Sequence, residues 1–170
     1  MNKKIAYFAG CTTKYIDSEV GVSTIQVLKQ NDFQPVFPDQ KCCGTAHLGS
    51  GNISSFLKNA EFNVRSLSDA DCDIVTACTS CALTLKKDYP RLLGSREAKA
   101  VSQRTYDIME YLVLLKDSEA LNNNFNPVTL RVLYHAPCHL KVQGEELIDQ
   151  RLKLIKSIPG ISISCIEKGC

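Results

Sequence analysis

Five cysteines stand at spacings that let their thiols share one chemical object. Cys42 and Cys43 are adjacent in Lys41-Cys42-Cys43-Gly44-Thr45-Ala46-His47, Cys78-Thr79-Ser80-Cys81 follows, and Cys11 lies upstream. Consecutive side chains point in different directions on a strand or helix, so adjacent thiols serve one centre only where the backbone turns sharply. Gly44 permits such a turn. Thirty residues separate Cys11 from Cys42, and thirty-four separate Cys43 from Cys78. A CxxC at a strand-to-helix junction puts two thiols within reach of one metal, and the helix dipole favours their thiolate forms. Structural zinc is satisfied by four ligands and leaves one thiol over, whereas an iron–sulfur cluster of unusual arrangement could use all five. A thioredoxin-like dithiol has no use for Cys11 or for the Cys42-Cys43 pair. The five thiols therefore point to an iron–sulfur site, with zinc as the alternative.

Elements that alternate between strand and helix must position these thiols. Lys4 to Gly10 is a short apolar run of the kind found in buried parallel strands, which puts Cys11 at a strand's carboxyl end. Ser18 to Gln30 carries Val20, Val22, Ile25, Val27 and Leu28 near helical spacing. Phe33 to Pro38 is a brief, proline-bounded strand or extended link leading to Cys42. Ser54 or Ser55 could cap a helix that aligns Phe56, Leu57, Ala60, Val64 and Leu67. Asp73 to Ala77 predicts another strand, followed at once by Cys78, and a helix from Ser80 should stop at Pro90. The pattern predicts an α/β fold with an open, mostly parallel sheet and flanking helices, whose strand carboxyl ends are where ligands collect.

Farther on, a helix is expected over roughly Gln103 to Lys116, and Leu121 to Pro127 reads as a polar linker. Leu130 to Cys138 then repeats the pattern of Lys4 to Cys11, a strand, a turn residue and a cysteine. Gly144 to Ser157 and Ile158 to Cys165 supply the matching helix and strand. Cys138 lies 127 residues beyond Cys11, and Cys170 lies 128 beyond Cys42. This internal repeat predicts a complete first domain over 1–125 and the truncated start of a second over 126–170. Cys138 and Cys170 would then be the first thiols of an incomplete second site. Cys72 and Cys165 read as small buried hydrophobes, His47 as a loop histidine near the thiols, and His135 and His139 as residues bracketing Cys138.

Composition narrows the classes. The chain has 170 residues, 44% of them apolar, a net charge of +2 and nine cysteines. That apolar content supports a sizeable core. The cations are spread along the chain, which argues against a nucleic-acid surface. No stretch reaches the ~18 apolar residues of a membrane span, and Met1-Asn2-Lys3-Lys4 leads into a strand-like run rather than a signal peptide. A cytoplasmic location is expected, where an odd number of cysteines suits metal ligation better than disulfides.

The thiol spacing resembles that of the cysteine-rich CCG domain family. That family includes subunits of anaerobic glycerol-3-phosphate dehydrogenase and heterodisulfide reductase, the iron–sulfur subunit of glycolate oxidase and a lactate-utilisation protein. Tyr7-Phe8-Ala9-Gly10-Cys11, Lys41-Cys42-Cys43-Gly44, Asp88-Tyr89-Pro90, Arg104-Thr105-Tyr106-Asp107 and Tyr134-His135-Ala136-Pro137-Cys138-His139 also look like its signatures. The resemblance implies tandem domains. It makes Cys11, Cys42, Cys43, Cys78 and Cys81 the ligands of a [4Fe-4S] cluster, with a non-cubane form open to the five-thiol set. It also implies an electron-transfer role, relaying electrons from a flavin-containing dehydrogenase, that for glycerol-3-phosphate above all, towards a quinone pool. No residue of the chain then serves as acid or base on the organic substrate. Contact with a membrane or quinone-reducing partner would be indirect, at the inner face of the membrane through other subunits. Two alternatives stand beside this one: a heterodisulfide-reductase-like protein that cleaves a disulfide at the cluster, and a structural zinc module that serves only for interaction.

Overall fold

A computed structural model describes residues 3–166, and its contacts divide the chain into two compact units, Met1–Ile108 and Met109–Cys170. The first unit opens with strand β1 (Lys3–Tyr7), the short helix α1 (Gly10–Tyr15), helix α2 (Ser18–Gln30) and strand β2 (Phe33–Val36). Next come α3 (Thr45–Gly49), α4 (Ile53–Asp69) and β3 (Asp73–Thr76). A run of α5 (Thr79–Leu83), a π-helical turn (Thr84–Asp88) and α6 (Tyr89–Leu93) leads to α7 (Arg96–Gln103) and β4 (Thr105–Asp107).

The four strands form one sheet in the order β2-β1-β3-β4, and every pair is parallel. The α/β architecture with a parallel sheet is thus as the strand–helix alternation predicts. Successive residues of β1, which point to opposite faces, are all buried: Ile5 and Ala6 are fully inaccessible and Tyr7 nearly so. Such two-sided burial is why the strand reads as a continuous apolar run. Pro35, which cannot donate a ladder hydrogen bond, sits opposite Ile5 on the edge strand β2, where its missing N–H costs little. Helix α4 buries Phe56, Ala60, Val64 and Leu67 against Ala6, Phe8 and Ile74. Burial of each large side chain is worth roughly 1.5–3 kcal/mol. From β1 the chain steps outward to β2 on one side and later returns to β3 on the other. The strand order therefore reverses between β1 and β3, and their carboxyl ends flank the crevice that this reversal opens.

Several local features depart from the sequence expectations. The cap of α4 is Asn52, whose side chain accepts from Ser55 N–H at 3.2 Å, rather than Ser54 or Ser55. Pro90 does not end the helix begun at Thr79. The π-helical turn shifts the ladder, with Tyr89 N–H bonded to Thr84 carbonyl. The Lys86 carbonyl, which Pro90 cannot engage, accepts from Ser102 Oγ–H at 2.6 Å. The helix expected over 103–116 is instead β4 followed by a helix from Ile108, because Thr105 to Asp107 pair with Ile74 to Thr76 of β3. Pairing with an existing strand outweighed helical periodicity.

In the second unit, α8 (Ile108–Asp117) leads through an irregular stretch to β5 (Leu130–Tyr134), α9 (Cys138–Lys141), α10 (Glu145–Lys156) and β6 (Ile161–Cys165). β5 and β6 pair in parallel, Leu130 opposite Ile161, much as β1 and β2 pair with Lys3 opposite Phe33. Val113, Leu121 and Leu154 form a small core with Met109, Leu112, Leu115 and Phe125 around it. Residues 109–125 thus pack with the later elements, whereas the polar linker had suggested a boundary at 125. Cys165, expected to be buried, is exposed. No helix among the described residues is long and apolar enough to cross a membrane.

Candidate metal centre

The five candidate thiols all fall beyond the carboxyl ends of β1, β2 and β3, whereas Cys72, the sixth cysteine of the first unit, lies just before β3. Cys11 is the second residue of α1 and is exposed, Cys42 and Cys78 are half-buried, and Cys43 and Cys81 are buried. All five are free thiols. Two groupings emerge. Cys43 Sγ and Cys81 Sγ are 3.3 Å apart in the interior, and the Cys81 thiol also hydrogen-bonds Cys78. Cys42 interacts with Cys11, and the two share an open cavity of about 300 Å³ with Gly10, Lys14, Tyr15, Gln40 and Lys41. Among the described residues, no three His, Cys, Asp or Glu side chains are gathered tightly enough to hold a single metal ion. Cys138, expected in the second site, opens α9 and is disulfide-bonded. Cys170, its expected companion, lies outside the described residues.

Two glycines let the backbones come this close. Gly44 adopts φ +91°, a left-handed conformation that side chains resist, and a Cβ there would meet Phe56 Cδ2 at 2.8 Å. The sharp turn inferred for the Cys42-Cys43 pair is therefore present. Gly10, at φ +72°, would place a Cβ 3.1 Å from Cys81 Sγ. A residue with any side chain at position 10 would push the β1–α1 turn off the CxxC helix.

Proton sharing sets the chemistry of these thiols in the absence of a bound metal. Cys81 keeps its proton and donates it towards Cys43 and Cys78, so its own pKa is raised, first by those two partners and then by burial. The same bond draws Cys43 down to about 6, with Thr45 assisting. Cys78 is likewise held at about 6 by the Cys81 thiol, and the backbone amides of Cys81 and Ser80 add to the effect. Burial and the neighbouring sulfurs of Cys43 and Cys11 push the Cys42 thiol up. The Cys43 sulfur also lies 3.2 Å from Thr45 Oγ1, which in turn is 2.5 Å from the buried Thr84 Oγ1 in the π-helical turn.

The all-sulfur donor set suits a soft metal or an iron–sulfur cluster. The cavity between Cys11 and Cys42, open beside the buried Cys43–Cys81 contact, leaves room for a group larger than one ion. The residues present therefore fit an iron–sulfur cluster. The sequence reading gave no site role to Asn63 of α4, and Tyr89 of α6 entered it only within Asp88-Tyr89-Pro90; both are fully buried and bond the backbone of the Lys41–Cys43 segment. The available signal was a polar residue on the apolar face of α4, three positions from Ala60 and four from Leu67. His47 lies in α3 rather than in a loop.

The family model for a cysteine-rich domain, CCG, matches residues 5–86. One of the subunits of the fumarate reductase (CoM/CoB) of Methanothermobacter marburgensis is 35% identical over 166 residues, 97% of this chain and 31% of that protein. An uncharacterized iron–sulfur protein of Methanocaldococcus jannaschii is 29% identical over 98% of the chain and 32% of its own length. One of the subunits of the anaerobic glycerol-3-phosphate dehydrogenase of Escherichia coli is 26% identical over 98% of the chain and 42% of its own length. The chain thus spans less than half the length of each of these relatives. No solved structure matches it significantly.

Proposed function

Because residues 5–86 match the family model for a cysteine-rich domain, CCG, we propose that this chain carries electrons for a multi-subunit oxidoreductase through an iron–sulfur cluster held by Cys11, Cys42, Cys43, Cys78 and Cys81. The observation that carries this reading is that five free thiols follow the ends of three parallel strands, Cys43 and Cys81 with their sulfurs 3.3 Å apart and Cys11 and Cys42 together at an open cavity. Relatives named as subunits of oxidoreductases support it. An iron–sulfur cluster, when bound, supplies a one-electron acceptor and donor within roughly −700 to +450 mV. Cys11, Cys42, Cys43, Cys78 and Cys81 would hold it; of these Cys43 and Cys81 are buried, and Thr45 Oγ1 lies 3.2 Å from the Cys43 sulfur. Hydrogen bonds to ligand sulfur stabilise the more negative, reduced state and so raise the potential.

Under this reading the cluster is a [4Fe-4S] type, the donor is a flavin-containing dehydrogenase subunit, and the acceptor is a partner that reduces quinone. A second reading, disulfide cleavage at the cluster, is favoured by the open cavity beside Cys11 and Cys42 with Lys14 and Lys41 in its walls. Anaerobic purification followed by iron, zinc and acid-labile sulfide analysis and electron paramagnetic resonance tests the proposal. Iron and sulfide in cluster proportions are expected, with the signal lost or altered by Cys43→Ser. Stoichiometric zinc without sulfide would establish the zinc module instead. A disulfide that perturbs the reduced cluster's spectrum would favour the second reading.

A further inference from the structure

We propose that Asn63 and Tyr89 form a clamp that positions the Cys42-Cys43 pair, fixing the hinge between the outer thiols, Cys11 and Cys42, and the inner ones, Cys43, Cys78 and Cys81. For its bearing on the cofactor this rests on the ligand reading above; for the thiols themselves it rests on hydrogen bonds alone. Asn63 Oδ1 accepts from Lys41 N–H at 2.7 Å. Its Nδ2 donates to the carbonyls of Lys41 at 3.2 Å and Cys42 at 3.4 Å and to Tyr89 Oη at 2.9 Å. Tyr89 O–H passes the chain on to the Cys43 carbonyl at 3.0 Å. Two side chains from separate helices thus hold four successive peptide groups, from Gln40–Lys41 to Cys43–Gly44.

Both clamp residues are 0% exposed, where polar groups persist only if their hydrogen bonds are met. Here these bonds converge on one segment of three residues, the one that contains both thiols. The Tyr89 ring also packs edge-on against Phe56 at 5.8 Å, and Phe56 is the residue that closes over Gly44. The clamp and the glycine turn therefore share a support. With the peptides fixed, Cys43 is held at 3% exposure against Cys81, while Cys42 stays half-buried at the cavity. Tyr89 follows the π-helical turn, whose shifted ladder sets where α6 begins.

Tyr89→Phe removes one hydroxyl without changing the ring, and Asn63→Ala removes the amide; circular dichroism identifies any variant that has failed to fold. The full chain, reduced and stripped of metal by a chelator, is treated with iodoacetamide and the rates at Cys42, Cys43 and Cys72 are read by tandem mass spectrometry. In the wild type the buried Cys43 is expected to be modified far more slowly than the half-buried Cys42, because the reagent reaches it only on opening. Tyr89→Phe is expected to narrow that ratio about five- to tenfold, the weight of one net hydrogen bond, with the Cys72 rate unchanged. An unchanged ratio in a folded Tyr89→Phe protein overturns the clamp. The same variants are then reconstituted anaerobically with iron and sulfide, where Tyr89→Phe should shift the cluster's paramagnetic spectrum at equal iron content. An identical spectrum overturns the clamp's bearing on the cofactor. A narrowed ratio in a wild type and variant that both refuse iron and sulfide leaves the clamp standing and takes down the iron–sulfur reading.

Discussion

Gly10→Ala probes the closest approach in the site, that of the β1–α1 turn to Cys81. Two costs add. An L-residue at φ +72° is in the left-handed region, at roughly 1–2 kcal/mol. The new methyl would also lie 3.1 Å from Cys81 Sγ. Cys81 is 2% exposed and its sulfur is already 3.3 Å from Cys43 Sγ, so the few tenths of an ångström it must give come from a packed interior. Overpacking of that kind costs roughly 1–3 kcal/mol. The sum is about 2–5 kcal/mol, which at an m-value of about 2 kcal/mol/M lowers the urea midpoint by about 1 M or more. Gly94 supplies the control: its φ is +66°, and a Cβ there meets nothing within 4 Å. Gly94→Ala therefore carries the backbone cost alone. The assay is urea unfolding of the chelator-stripped, reduced proteins followed by circular dichroism. If Gly10→Ala is no more destabilising than Gly94→Ala, the contact between the turn and the CxxC helix is wrong.

Two other outcomes follow from the local chemistry. In the chelator-stripped protein, Cys78 is a thiolate at neutral pH because its pKa is drawn down to about 6 by the Cys81 thiol. Its alkylation rate should stay high at pH 7 and fall as pH drops through about 6, while Cys72, whose thiol burial pushes up, reacts fast only in alkali; a Cys78 profile centred near pH 9 contradicts the shared-proton arrangement. Ser102→Ala leaves the Lys86 carbonyl without its 2.6 Å partner beside Pro90. It should cost about 1 kcal/mol of stability, the net weight of one hydrogen bond, measured by urea unfolding, and a neutral effect would refute a stabilising role for that bond.

The primary sequence alone carried the parts of the protein whose cause is local. Buried strands appeared as apolar runs because Ile5, Ala6, Ile74 and Val75 are covered on both faces. The amphipathic α4 was legible from Phe56, Ala60, Val64 and Leu67, and the turn after Cys43 from the glycine that follows it. The five candidate thiols were legible because their residue type is scarce and their spacing is compact. What was not legible depends on partners distant in the chain. Thr105 to Asp107 became a strand only because β3 offered a free edge. Pro90 stays within a helix because the π-helical turn places it in the first turn of α6, and Ser102 from α7 takes up the Lys86 carbonyl.

The division of the thiols into an inner group and an outer pair is likewise a product of the fold. Cys43 and Cys81 are thirty-eight positions apart, and the spacing of cysteines says that they could serve one centre but not which of them touch. Asn63 reads in sequence as one polar residue on an apolar helix face, and its role exists only where α4 crosses the segment from Lys41 to Cys43. Sequence determined which atoms are available for soft-metal chemistry, since donor type is a property of the side chain. Tertiary structure decided which of those atoms are buried, share a proton or face a cavity, because burial and hydrogen-bond distance depend on which distant segments meet.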